Sequence, residues 1–307
     1  MRTFDAQAAL GFVISQTASV EAAVYAIRYP DIQYPQLIPV DTTAHPFAKT
    51  VTFFSSDKAG RADWINGNSD DIPMADVEMT QFESSILTAG IGYGYGWEEI
   101  NQAQMLGLGL ANDKANAARR AAEEMIDRIA LTGDASKGMQ GLFDNSAVTA
   151  VGATNGDWEG GTTTPDEIIA DVNGALTNVQ GATNNIVLAD TLLLPFNRWN
   201  YIASKRLTDT NMTILEFIRQ NNVYTATTGQ PLTIRATRGL DTAGISADAR
   251  MIAYRRSPEV LKLHMPMPHR FLPVYQTGPL RFDVPGVMRF GGLDIRLPGE
   301  VSYVDGI

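Results

Sequence analysis

Gly90-Ile-Gly-Tyr-Gly-Tyr-Gly-Trp97 alternates strictly: every even position is glycine, and the odd ones, Ile91, Tyr93, Tyr95 and Trp97, are large and apolar. A period of two is that of a β-strand, whose side chains point to alternate faces. One face of this strand is bare backbone. Glycine in a strand costs entropy and packs nothing, so four in register predict that another backbone lies close against that face. A glycine-rich turn is the alternative reading, but turn glycines do not keep step with large apolar residues.

From Glu98 the spacing becomes helical and runs without proline to Thr132, where Gly133 supplies a stop. Glu98 and Glu99 fall where the helix dipole favours anions. One continuous helix here would span about 50 Å, several times the usual length, with Gly107 and Gly109 as candidate kinks. Its predicted apolar stripe is Ile100, Ala103, Leu106, Leu110, Ala117, Ala121, Met125 and Ile129, rich in alanine and open to close approach by a sheet or helix. Such a helix reads as a strut.

Upstream, residues 44 to 97 read as an extended hairpin. Thr50-Val-Thr-Phe-Phe54 rises toward an Asn66-Gly67 turn signal, and Val77 onward returns to the glycine ladder. A projection with so little core is marginal alone and predicts support from another subunit. Residues 1 to 43 read as an arm, with a helical stretch from Ala18 to Ile27 and an extended segment enforced by Pro30, Pro35 and Pro39.

Downstream of the strut a glycine-bearing loop runs to Asn145. Thr164-Pro-Asp-Glu167 is a capping box opening a helix through Ile168, Ile169, Val172, Leu176 and Val179, and Thr213 with Glu216 is a second, for a helix ending near Asn221. Short strands are predicted at Asn185–Ala189, Leu232–Ala236 and Met251–Tyr254. From Phe271 the chain reads as β, with strands at 281–284, 286–290, 293–297 and 301–304. Helices and strands that do not alternate regularly define an α+β class.

The 307 residues, 44% hydrophobic and 19% charged, suffice for one large domain or two. No apolar run reaches the length of a membrane span, and Met1–Asp5 lacks the pattern of a signal peptide, so folding in a cytoplasm is predicted. The absence of cysteine excludes disulfides, thiolate metal sites and cysteine nucleophiles. The net charge is -10 but uneven: residues 51 to 99 hold two basic and nine acidic residues, and residues 205 to 256 eight basic and four acidic. Such blocks either meet between copies of the chain or are two solvated faces. An acidic chain is poorly suited to gripping phosphates, although it can enclose nucleic acid without sequence-specific binding.

Signatures of catalysis are missing: no Gly-x-Ser-x-Gly, no His-Glu-x-x-His, no phosphate-cradling loop, and a ladder of Gly-x-Gly-x-Gly rather than Gly-x-Gly-x-x-Gly. No catalytic residue, metal site or cofactor is assigned. His264-Met-Pro-Met-Pro-His269 resembles a metal pair, but its prolines deny it helical spacing, and it reads as a strand exit. Asp157 and Glu159 are the pair a carboxylate-dependent hydrolase would need, or two solvated loop acids. Trp64 reads as a contact anchor, with Lys58 and Arg61 as the cations of the acidic hairpin. Together with Tyr93, Tyr95 and Trp97 these are the candidate inter-subunit contacts.

The order of parts resembles the major capsid proteins of tailed bacteriophages over nearly the whole chain. The resemblance rests on Gly94-Tyr-Gly-Trp-Glu98, the Gly138-Met-Gln-Gly-Leu-Phe-Asp-Asn145 turn, Thr213-Ile-Leu-Glu-Phe-Ile218 and Gly291-Gly-Leu-Asp-Ile-Arg-Leu-Pro298. It implies the Hong Kong 97-type capsid fold: an N-terminal arm (1–43), an extended two-stranded loop (44–97), a peripheral domain of spine helix and C-terminal strands (98–163 and 271–307), and an axial domain (164–270). It further implies hexamers and pentamers in an icosahedral shell around phage DNA, with the loop of one subunit over its neighbour, assembled in a bacterial host's cytoplasm with portal and decoration proteins. The start at Met1 predicts a separate scaffold. Some members crosslink a loop lysine to an asparagine; Lys58 lies in the right region, but no partner pattern is present and crosslinking is not predicted. An encapsulin-type compartment shell is the alternative within this fold.

Overall fold

The computed structural model describes residues 31–59, 64, 74–99, 101 and 110–307. The Ala18–Ile27 stretch, Arg61, the Asn66-Gly67 turn, Gly107 and Gly109 lie outside the described residues. In chain order, Tyr34–Leu37 is a helical turn (α1), Val40–Asp41 a short strand (β1), Thr50–Ala59 and Asp76–Gly90 a long pair (β2, β3), and Tyr93–Gly96 is β4. Helix α2 (Leu110–Thr132) precedes β5 (Gly133–Asp134), β6 (Met139–Gln140) and β7 (Ala150–Gly152). Helix α3 (Pro165–Ala182) leads to β8 (Thr191–Pro195), α4 (Phe196–Ser204), α5 (Ile214–Gln220), α6 (Val223–Thr228) and β9 (Thr233–Thr237). The remainder is β: β10 (Arg250–Tyr254), β11 (Leu261–His264), β12 (Met267–Phe271), β13 (Tyr275–Gly278), β14 (Arg281–Val284), β15 (Gly286–Gly291), β16 (Leu293–Ile295) and β17 (Val301–Asp305).

A mixed sheet of order β7-β17-β10-β8-β9 organises the unit from Ile32 to Ile307. Its inner strands β17, β10 and β8 are buried on both faces, which gives apolar runs such as Leu192-Leu193-Leu194. Alternation divides them. Leu192, Leu194, Met251, Ala253 and Val304 share a core with Ile168, Val172, Leu176 and Val179 of α3. Leu193, Ile252, Tyr254, Val301 and Tyr303 share the other core with Ala122, Ile126, Ile129 and Ala130 of α2.

Helix α3 starts as its sequence predicts, with Thr164 and Glu167 closing a reciprocal capping box and Pro165 in the first turn. The strand expected at Asn185–Ala189 is displaced to β8. Asn184 and Asn185 take positive φ, which ends the helix in a tight loop and leaves Ile186 81% exposed. Asp190 then fixes the entry to β8: its carboxylate accepts the Arg256 amide and its carbonyl the Thr233 amide.

Two corrections apply to the strut. The buried stripe of α2 is Ala118, Ala122, Ile126 and Ala130 with Ile129, one residue on from the predicted positions; Ala117 is exposed. Apolar residues come in adjacent pairs along this helix, so spacing allowed two stripes, and the branched Ile126 rather than Met125 fills the core. Nor does a straight helix run from Glu98. Residues 97–99 are helical, but the Lys114 ammonium lies 2.5 Å from the Glu99 carboxylate and 2.8 Å from the Gly94 carbonyl. Fifteen residues of straight helix would hold Glu99 and Lys114 roughly 22 Å apart. The stop is as predicted: α2 ends at Thr132 and Gly133 has φ +82°.

The hairpin is present, with β2 and β3 paired from Thr50–Ser85 to Ala59–Asp76. It continues into the sheet β12-β15-β3-β2, while β13-β14-β4 and β1-β11-β16 form two smaller sheets. The segment expected to be extended by its prolines instead makes α1. Pro35 sits in the first turn, where its missing N–H costs nothing, and the Asp127 carboxylate accepts the Gln33 and Tyr34 amides at 2.8 and 2.7 Å. Tyr34, Leu37 and Ile38 are buried in the α2 core of their own chain.

Candidate assembly surfaces

The glycine ladder makes a corner. β3 ends at Gly90 and pairs with β15; β4 begins at Tyr93 and pairs with β14; Ile91-Gly92 turns between the two sheets opposite Pro285. A Cβ on Gly90 would stand 2.6 Å from the Gly286 carbonyl, and one on Gly92 2.8 Å from Pro285 Cα and closer still to the Val284 carbonyl. The predicted close backbone is therefore the neighbouring ribbon wrapping the corner. Gly94 is crowded by the Asp283 carboxylate, whereas Gly96 has ordinary room.

The large side chains of the ladder pack first within their own chain. Tyr93 meets Tyr95 edge-on at 5.4 Å and Phe271 at 5.1 Å; Lys114 lies over Tyr95 and Arg119 over Phe271. Burial, with a hydrogen bond to Tyr93, pushes the Tyr95 hydroxyl up to about 12. The Lys114 hydrogen bond holds the Glu99 carboxyl below its usual range. Trp97, whose amide donates to the Leu280 carbonyl, is 54% exposed. It lies beside exposed Leu280.

Of the hairpin candidates, Lys58 pairs in register with Val77 and Trp64 is exposed; Arg61 lies outside the described residues. The alternation of β2 and β3 puts Phe54, Val77 and Met79 on one face, and they are 62%, 52% and 67% exposed. The other face is partly covered by its own chain: Phe53 stacks on Phe82 at 5.2 Å and the Arg296 guanidinium lies 4.5 Å from the Phe53 ring.

The basic block of residues 205–256 is largely engaged inside the chain. Arg256 donates to the Pro35 carbonyl, Arg235 to Gln36, and Arg255 to Glu300. Arg250, only 2% exposed, donates from Nε and Nη2 to Asp305 at 2.6 and 2.8 Å and from Nη1 to the Phe143 carbonyl at 2.6 Å. Burial alone would raise the Asp305 carboxyl; the Arg250 bonds and the Ile245 amide outweigh it and hold the group low. A lone arginine in an apolar run signals such a clamp, but its partner 55 residues away has no local mark.

Asp157 and Glu159 form no carboxylate centre. Glu159 is ion-paired with Arg198, and Trp158 between them is fully buried, donating its Nε1–H to buried Asp171 at 3.0 Å. Asp171 also accepts the Asn155 and Gly156 amides, so this loop is an anchor onto α3. His264 closes β11 and His269 lies in β12, hydrogen-bonded through Nε2 to the Ile91 carbonyl. Among the described residues no group of three metal-binding side chains converges, and no helix is long and apolar enough to cross a membrane.

The described residues thus form an α+β unit with a long two-stranded hairpin that carries exposed apolar residues. The chain belongs to the major capsid protein family, whose model matches residues 60–307. Its fold is that of tailed-phage capsid subunits. The capsid of Myoviridae phage XM1 superimposes with a TM-score of 0.79 at 16% identity, covering 95% of this chain and 98% of that one. The capsid of a native GTA particle gives 0.68 at 10% identity over 99% of both chains. A structure from Mycobacterium phage Adephagia gives 0.63 at 15% identity over 96% of each. No curated protein sequence matches the chain.

Proposed function

We propose that copies of this chain assemble into hexamers and pentamers of an icosahedral shell that encloses phage DNA, a structural role without catalysis. The observation that carries this is the hairpin: Phe54, Val77 and Met79 are exposed on one face of a thin two-stranded ribbon, and a neighbouring copy supplies the cover. Trp64 and Trp97, with Lys58 and Arg61, are the contacts assigned to neighbours; Tyr93 and Tyr95 hold the corner from which the hairpin projects. The parts are the arm (1–43), loop (44–97), peripheral domain (98–163 and 271–307) and axial domain (164–270), in a virion assembled in the host cytoplasm. A separate scaffold, a portal and decoration proteins complete the particle, and DNA is enclosed rather than read, in keeping with the net charge of -10.

The test is the mass and shape of the purified protein by light scattering and negative-stain microscopy, with and without a coexpressed scaffold. Megadalton shells, tubes, or rings of six or five support the reading. A compact monomer under every condition overturns it.

A further inference from the structure

His264 is 1% exposed, and its ring lies between two carboxylates carried by two other strands. Nδ1 is 3.7 Å from the Asp41 carboxylate on β1, and Nε2 is 3.5 Å from the Asp294 carboxylate on β16. Each carboxylate also faces one cation: Lys262 of β11 is 3.5 Å from Asp41, and Arg296 is 3.2 Å from Asp294. Thr43 donates both its amide and its hydroxyl to Asp41, fixing that carboxylate in place. Nδ1 has no hydrogen-bond partner at the observed geometry.

The two carboxylates that flank the ring each line a cavity. Asp294 lines a cavity of about 220 Å³ with Glu83, Ser84 and Ser85 at the root of the hairpin. Asp41 lines another of about 210 Å³ with Thr43 and Lys262. A neutral imidazole has one N–H, so it can donate to one carboxylate and must turn a lone pair toward the other; an imidazolium donates to both.

We propose that His264 is a proton-operated joint: charged, it draws β1 and β16 onto β11 together, and on losing a proton it releases one of them. The two fixed cations make the release graded, since each carboxylate keeps a partner when the ring is neutral. The joint ties the segment leading into the hairpin to the sheet beneath it. It belongs to the single chain and does not depend on the assembly reading.

The test is hydrogen exchange by mass spectrometry on the unassembled full chain at about pH 5.5 and pH 8.0, corrected for intrinsic exchange rates. Peptides covering residues 38–43, 261–265 and 292–296 should open roughly three- to tenfold more often at the higher pH, the weight of one ordinary hydrogen bond, since each carboxylate keeps its cation. In His264→Gln that difference should vanish. Equal protection at both values in the wild type, greater protection at the higher pH, or the same dependence in the variant overturns the proposal. Should His264→Gln fail to fold, Asp294→Asn keeps the ring and removes the negative charge that favours the imidazolium on that side; a pH dependence undiminished there overturns it equally.

Discussion

Replacing Arg250 by methionine breaks a largely buried ion pair of the central sheet. The side chain removed makes two hydrogen bonds to Asp305 and one to the Phe143 carbonyl, and its guanidinium lies 4.7 Å from the centre of the Tyr303 ring. Methionine fills much of the volume, so the cost is not chiefly a cavity. It is the Asp305 carboxylate left with the Ile245 amide as its remaining protein donor, and a buried carbonyl left without its donor. Breaking a buried pair from one side costs about 3–5 kcal/mol, against under about 1 kcal/mol for an exposed pair. Urea unfolding of the unassembled protein at neutral pH reads this directly. The pH dependence has a definite sign. Asp305 is held below the usual carboxylate value in the folded chain, so its contribution is complete above that value and is lost as pH falls through the folded one. Without Arg250 the burial term prevails and acid unfolding should begin at higher pH. Arg250→Met with Asp305→Asn should recover at least about 2 kcal/mol, because no uncompensated charge remains. A loss under about 1 kcal/mol for Arg250→Met, or a double variant as unstable as the single losses summed, would refute the clamp.

Gly92→Ala should lower stability by about 1–3 kcal/mol in thermal melts, since its Cβ meets backbone that cannot rotate away; Gly96→Ala, with nothing nearer than 4.0 Å, should melt within about 0.5 kcal/mol of wild type. Asp171→Asn removes a charged acceptor shared by Trp158, Asn155 and Gly156, and should cost about 1–3 kcal/mol with a red-shifted Trp158 emission; unchanged fluorescence and stability would remove the anchor role. Phe54→Ser with Met79→Ser should leave the melting of the unassembled chain within about 0.5 kcal/mol of wild type while abolishing large particles in light scattering; normal particle yield would show that this face is not an interface.

What could be read from the sequence was what is encoded locally. Thr164 and Glu167 are three residues apart and reach only each other's turn, so the capping box was legible in full. The glycine ladder disclosed a close backbone but not its direction, because a missing Cβ says that space is short and not which strand fills it. The stripe on α2 was misplaced by one residue since Ala117/Ala118 and Ala121/Ala122 give equal periodicity to either choice. α1 is hidden from the sequence because prolines exclude helix interiors but not helix starts, and the acceptor that caps it, Asp127, is 94 residues from Gln33. Asp171 and Asp305 are silent in the sequence for the same reason: a buried carboxylate is marked only by partners brought together in the fold.

Strand β17 shows how the two cores of the body are joined. By sequence position it belongs with the C-terminal strands, yet it is hydrogen-bonded to β10 over five residue pairs and lies inside the central sheet. Its alternation makes it a member of both cores at once, Val304 on the α3 side, Val301 and Tyr303 on the α2 side. Tyr303 donates to the Leu142 carbonyl, and Asp305, two residues on, holds Arg250 and through it the Phe143 carbonyl. The loop that follows α2 is thus bound to the same strand that completes the sheet under α3. β17 shares this double membership with β8 and β10, whose alternate residues also enter both cores, so the two cores are coupled by covalent backbone and ladder hydrogen bonds. The long hairpin has no such second core. Phe54, Val77 and Met79 on its one face therefore have no core of their own chain to enter.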